Sequence, residues 1–185
     1  MGNRAVITNK TESKSYKDSE QIGVYLHWNG GRDSVEAFLK YCDLKGYRSP
    51  SNDSYGWARL TQVIANYFGG STSLGLDQCK KLDCDNYDNG VYLIKGWEII
   101  GREYHKGTEQ KEYKLFEMLL DIDTKQPKGE QLGEDFIKAS LNLKKDYSIV
   151  VDLCDVTAEN KKSAESQARE RIAQGDFKLE IIEIK

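Results

Sequence analysis

The sequence predicts an α+β fold: a small antiparallel sheet packed by two or three helices, with a C-terminal β-α-β module. Three observations lead there. Short β-branched runs at 3–8, 22–28 and 91–104 alternate with two segments of helical apolar spacing, 33–45 and 55–68. Near 124–134 the pattern breaks, and 147–185 then reads strand, helix, strand. Finally, 38% hydrophobic and 31% charged residues, with eleven Tyr and three Trp against two Pro, describe a packed chain and not a disordered one.

Taken in order, "NRAVIT" (3–8) has the β-branched content of a strand, and the polar stretch 9–21 reads as a hairpin loop. "IGVYLHW" (22–28) is its partner strand. Asp33 and Glu36 have the D-x-x-E spacing of a capping box, so a helix starts there. Val35, Phe38, Leu39 and Cys42 give that helix one apolar stripe, and Gly46 closes it. A second helix carries Trp57, Leu60, Thr61, Ile64, Ala65 and Phe68 on one face and ends at Gly69-Gly70. "STSLGL" (71–76) is a short strand, and "LDCDNYDNG" (82–90) is loop. "VYLIKGWEIIGREY" (91–104) is the clearest hairpin, turning about Lys95-Gly96.

A third helix is expected from about Glu112 to Asp123, with Leu115, Met118, Leu119 and Ile122 in register. The stretch 124–134 holds a proline and two glycines and opens a linker. The division is therefore an N-terminal α+β domain at 1–128, a linker at 129–146 and a β-α-β module at 147–185. In the last, Thr157 caps a polar helix running to about Gly175. About 40 residues bury little core alone, so the module is expected to dock on something, a second copy included.

With 27 basic and 30 acidic side chains the net charge is −3, which gives no bulk attraction to nucleic acid. The strongest bias, between Glu98 and Asp135, is ten acids against six bases. The opening "MGNRAVITNK" lacks the apolar core of a signal peptide, and Val6 stands where a myristoylation signal needs Ser or Thr. No run reaches the roughly 18 apolar residues of a membrane span. A cytoplasmic protein without membrane contact is expected, with Cys42, Cys79, Cys84 and Cys154 as free thiols.

Two stretches qualify as binding surfaces. In "HWNGGRD" (27–33), His27 and Trp28 bring a hydrogen-bonding ring and a stacking ring. Asn29, Gly30 and Gly31 form a strand-to-helix corner whose N–H groups suit an anion, and Arg32 is a bidentate donor. Strand alternation sends the two rings to opposite faces, one of them the core. In "SYGWARL" (54–60), Tyr55 and Arg59 suit a contact surface while Trp57 packs inward.

Neither stretch matches a P-loop or a dinucleotide fingerprint. "DCDNYDNG" (83–90) fails the calcium-loop pattern at Tyr87 and Gly96 and reads as a solvated turn. With His27 and His105 the sole histidines, no metal ligand set, cofactor or catalytic triad is indicated.

The tail, "YSIVVDLCDVTAENKKSAESQARERIAQGDFKLEIIEI", resembles the small β-α-β modules of the DpnD–PcfM type found on mobile genetic elements. Residues 1–128, with "GVYLHWNGGRDSVEAFLKYC", "YGWARLTQVIANYFGG" and "DNGVYLIKGWEIIGREY", are similar to small phage and mobile-element proteins of gut Firmicutes, among them type II anti-CRISPR inhibitors. The resemblance implies a non-enzymatic inhibitor of a bacterial defence system. It would work in the host cytoplasm by binding an RNA-guided CRISPR nuclease and blocking DNA engagement or cleavage. The alternatives are a sponge for a nucleotide immune signal and an assembly module that dimerises through its tail.

Overall fold

In the computed structural model, residues 2–9, 21–50, 54–104, 111–141, 147–152, 164, 166–170 and 178–183 are described. The chain divides into two units, Met1–Asn142 and Leu143–Lys185. In the first unit, strands β1 (Ala5–Asn9) and β4 (Val91–Lys95) are buried at nearly every position, as strands covered on both faces are. They lie side by side and parallel, Val6 opposite Val91. β2 (Ile22–Leu26) pairs antiparallel with β1, and β3 (Leu74–Gln78) with β2. β5 (Glu98–Glu103) forms the predicted hairpin with β4. The order is β3-β2-β1-β4-β5. The sheet is thus mixed, where an antiparallel one was expected, because two helices and β3 intervene before the chain returns beside β1. A parallel neighbour requires such a crossover.

Helix α1 (Arg32–Leu44) buries the predicted Val35, Phe38, Leu39 and Cys42 stripe, and α2 (Ser54–Phe68) buries Trp57, Leu60 and Ile64. α3 (Leu115–Lys125) adds Met118, Leu119 and Ile122. All of these join Ile7, Val24, Leu26, Tyr92 and Ile94 in one core on one face of the sheet. Phe38 and Leu60 are wholly buried, each a contribution of about 1.5–3 kcal/mol.

The opposite face has a smaller cluster, Val6, Cys79, Val91 and Leu93, flanked by Tyr25, Leu82, Cys84 and Tyr104. Its cover is the segment 79–90. This is not the solvated turn expected: Asn86 and Asn89 are buried. The Asn86 amide donates to the Asp83 carbonyl, and its oxygen accepts the N–H groups of Asp88 and Gly90.

Two boundaries differ from expectation for one reason, long-range hydrogen bonding. Asp33 is not a cap, since α1 starts at Arg32 with Gly31 at its N-cap. Its carboxylate also accepts the backbone N–H groups of Glu112 and Tyr113, which lie outside α3, so that helix begins later, at Leu115. Within the segment expected as linker, a fourth helix, α4 (Glu134–Ser140), places Ile137 in the helix-side core. Asp123 anchors its approach by accepting from Leu132 N, Gly133 N and the Tyr41 hydroxyl.

In the second unit, β6 (Tyr147–Asp152) pairs antiparallel with β7 (Lys178–Glu183), Tyr147 opposite Glu183, and residues 166–170 are helical. The predicted cap Thr157 and Cys154 lie outside the described residues, as does His105. Among the described residues no helix is long and apolar enough to cross a membrane.

Candidate functional site

β2 ends at Leu26, and this early stop decides the geometry of the corner. His27 still bonds through its N–H to the Ser73 carbonyl, but strand alternation does not extend past it. Both rings therefore come out on the surface, a correction to the opposite faces expected of them. His27 and Trp28 pack edge to face with centroids 5.1 Å apart, and Trp28 stays 46% exposed. Tyr25 completes the row, its hydroxyl 3.1 Å from His27 Nδ1. Burial, and after it the Asp83 carboxylate, push the Tyr25 phenol above its ordinary value. Arg4 stands close by, its Nε 2.7 Å from Asp88, whose hydrogen bond raises the guanidinium further.

The chain then reverses through Asn29, which takes the left-handed conformation with φ of 53°. Asn29 reaches Tyr67 at the end of α2, whose hydroxyl burial and the Asp121 carboxylate push up to about 12. Gly30 serves close approach and not φ: a Cβ there would lie 2.6 Å from the Asn3 carbonyl oxygen, to which Gly30 N–H donates. Gly31 is the N-cap of α1. The first-turn N–H groups are not all open to a ligand, since Ser34 N–H donates to Asp33 Oδ1 at 2.7 Å. Arg32 binds Glu36 through Nε at 2.6 Å.

Tyr55 and Arg59 belong to a different place. Tyr55, 60% exposed, carries the Arg48 guanidinium 4.7 Å above its ring. Arg59 donates to Gln62 Oε1 and lies 5.8 Å from the Tyr47 ring. With Tyr41, Tyr47, Gln62, Asn66 and Gln126 it lines an open cavity of about 360 Å³. At a rise of about 1.5 Å per residue, Tyr55 and Tyr67 are about 18 Å apart along α2, so the two candidate surfaces stand at opposite ends of that helix.

No known family matches the chain, and no match was found among characterised proteins or solved structures. What the corner can do follows from its own chemistry. Tyr25, His27 and Trp28 present rings packed edge to face, with the Arg4, Asp83 and Asp88 charges beside Tyr25 and the Arg32–Glu36 pair beyond the turn. Among the described residues no cluster of three metal-ligating side chains exists. The acidic bias between 98 and 135 is partly spent internally: Asp123 is buried, and Glu117, Glu130 and Glu134 pair with Lys114, Lys45 and Lys138. Sequence reasoning missed Tyr25 and Arg4 as members of the corner. Its one available signal was that Tyr25 precedes His27 by two residues and so shares its side of the strand.

Proposed function

We propose that this protein is a non-enzymatic inhibitor that binds a bacterial defence protein, with an RNA-guided type II CRISPR nuclease as the target. The observation that supports binding over catalysis is Trp28, nearly half exposed and held edge-on by His27 in the bend after β2. Preset aromatic side chains of this kind are the usual anchors of protein interfaces, because they bury large area with little loss of side-chain freedom. The choice of a CRISPR nuclease comes from the resemblance of residues 1–128.

The test is plasmid cleavage by guide-loaded nuclease with increasing amounts of this protein. Cleavage should fall to zero near a one-to-one ratio, and Trp28→Ala should raise the amount required at least ~10-fold. Full cleavage at large excess removes the nuclease as target.

A second reading, sequestration of a nucleotide, is favoured by the Arg59 cavity. Its volume is within the ordinary ligand range, and Gln62, Asn66 and Gln126 offer amide groups beside the Tyr47 ring. Absorbance of a released nucleotide after heat denaturation of purified protein is its readout.

A further inference from the structure

Cys79 and Cys84 are the two thiols on the loop-covered face. Cys79 opens the 3-10 turn Cys79–Lys81 directly after β3 and is wholly buried against Val6, Val91 and Leu93. Cys84 lies half-buried where the chain doubles back, its N–H on the Leu82 carbonyl. That reversal brings the two Sγ atoms to 3.6 Å, in contact but unbonded. Cys84 Sγ also lies 3.3 Å from the Cys79 carbonyl oxygen. Beside the pair is an open cavity of about 430 Å³ lined by both cysteines, Lys80, Leu82, Asp83 and Tyr104. Cys42 provides the contrast: it is sealed in the helix-side core with no neighbouring thiol among the described residues, and burial pushes it up.

We propose that Cys79 and Cys84 form a reversible dithiol–disulfide site whose co-reactant is a low-molecular-weight disulfide entering the cavity that Cys84 lines. Closing the bond shortens the sulfur separation from 3.6 Å to about 2.05 Å, a movement within reach of a loop turn. In the first step a Cys84 thiolate attacks one sulfur of R–S–S–R, forming the mixed disulfide and expelling RS⁻. In the second, the Cys79 thiolate attacks Cys84 Sγ, forming the internal S–S bond and expelling the second RS⁻. The two cysteine protons end on the two leaving thiolates, so two thiols are oxidised and one disulfide becomes two thiols. In the reduced pair the hydrogen bond from Cys84 holds the Cys79 thiol below its ordinary value, while the same contact and burial push Cys84 up; the order of attack is set by access, since Cys84 is partly exposed and Cys79 is wholly buried. This inference is independent of the proposed binding partner.

The experiment uses the full chain, reduced and then incubated with glutathione disulfide, acid-quenched, alkylated and digested. Trypsin cuts at Lys80 and Lys81, between the two cysteines, so their disulfide appears as two linked peptides that dithiothreitol separates. The expected result is that linked pair, formed at least ~10-fold faster than any modification of Cys42. With Cys84→Ser, glutathione should not reach Cys79 in the folded chain. A stable glutathione adduct on Cys84 beside an unreacted Cys79 would overturn the proposal. So would a pair that stays reduced while Cys42 reacts.

Discussion

The two faces of the five-stranded sheet are built on different physics. On the helix side, apolar stripes of α1, α2 and α3 meet Ile7, Val24 and Leu26 in one continuous buried cluster. On the other side a short segment, 79–90, packs its own Cys79 over Val6, Val91 and Leu93 and is fixed largely by polar bonds. Asn86 ties that segment to itself, while Asn89 donates to Asn3 and to the Arg4 carbonyl. Arg4 holds Asp88, and Arg102 donates to the Asn89 carbonyl. The helix side gains its stability from area, which is insensitive to direction. The loop side depends on direction and loses its partners one at a time. Both Tyr25 of the aromatic row and the dithiol are on the loop side, where local adjustment leaves the main core intact.

The largest separation between the faces should come from truncating their apolar groups. Phe38→Ala opens a cavity in the closed core and should lower unfolding free energy by about 3–5 kcal/mol in urea titration. Leu82→Ala, at a half-buried position, should cost only about 1–2 kcal/mol. Equal costs would erase the distinction.

Next in size, Asn86→Ala should cost about 2 kcal/mol, because it strands the Asp88 and Gly90 N–H groups. Hydrogen exchange should then quicken in 82–90 and stay slow in α1 and α2. Uniform quickening would show that the faces unfold as one.

A more gradual effect follows from the tyrosines of the helix side. Burial and Asp121 push Tyr67 up to about 12, whereas in the unfolded chain it ionises near about 10. The folded state therefore holds its proton longer, and stability is full below about pH 10 and falls as pH rises towards 12. Urea midpoints measured across that window should decline, and Tyr67→Phe should flatten the slope.

The smallest effect on stability belongs to the surface row. Trp28→Ala should change unfolding free energy by no more than about 0.5 kcal/mol, the usual range for an exposed position, while it weakens partner binding. A large loss of stability would make Trp28 a structural residue and remove it from the proposed interface.

Much of the helix side was legible in the sequence, since α1 and α2 are long enough for a 3.6-residue apolar period to stand out. The β4–β5 hairpin was equally plain from two β-rich runs about a glycine. The parallel β1–β4 pairing was not, because periodicity tells which face a residue takes and not which strand lies beside it. α4 escaped notice for a simpler reason: seven residues with a single buried side chain, Ile137, carry no period. Asp33 looked like a local cap because spacing reports near neighbours only, and its partners, Glu112 and Tyr113, are far along the chain. The ring positions at His27 and Trp28 turned on where β2 stops, and strand ends are set by tertiary contacts.

The place of β1 in the middle of the sheet has a consequence for how the protein is made. It leaves the ribosome well before β4, so one of its edges has no partner until Val91–Ile94 is synthesised. During that interval the nascent chain displays an apolar strand with an open row of backbone donors and acceptors, a template for mispairing. The early hairpin with β2 shields one edge only. Translation pauses between β2 and β4 would lengthen the exposure and lower the yield of native protein.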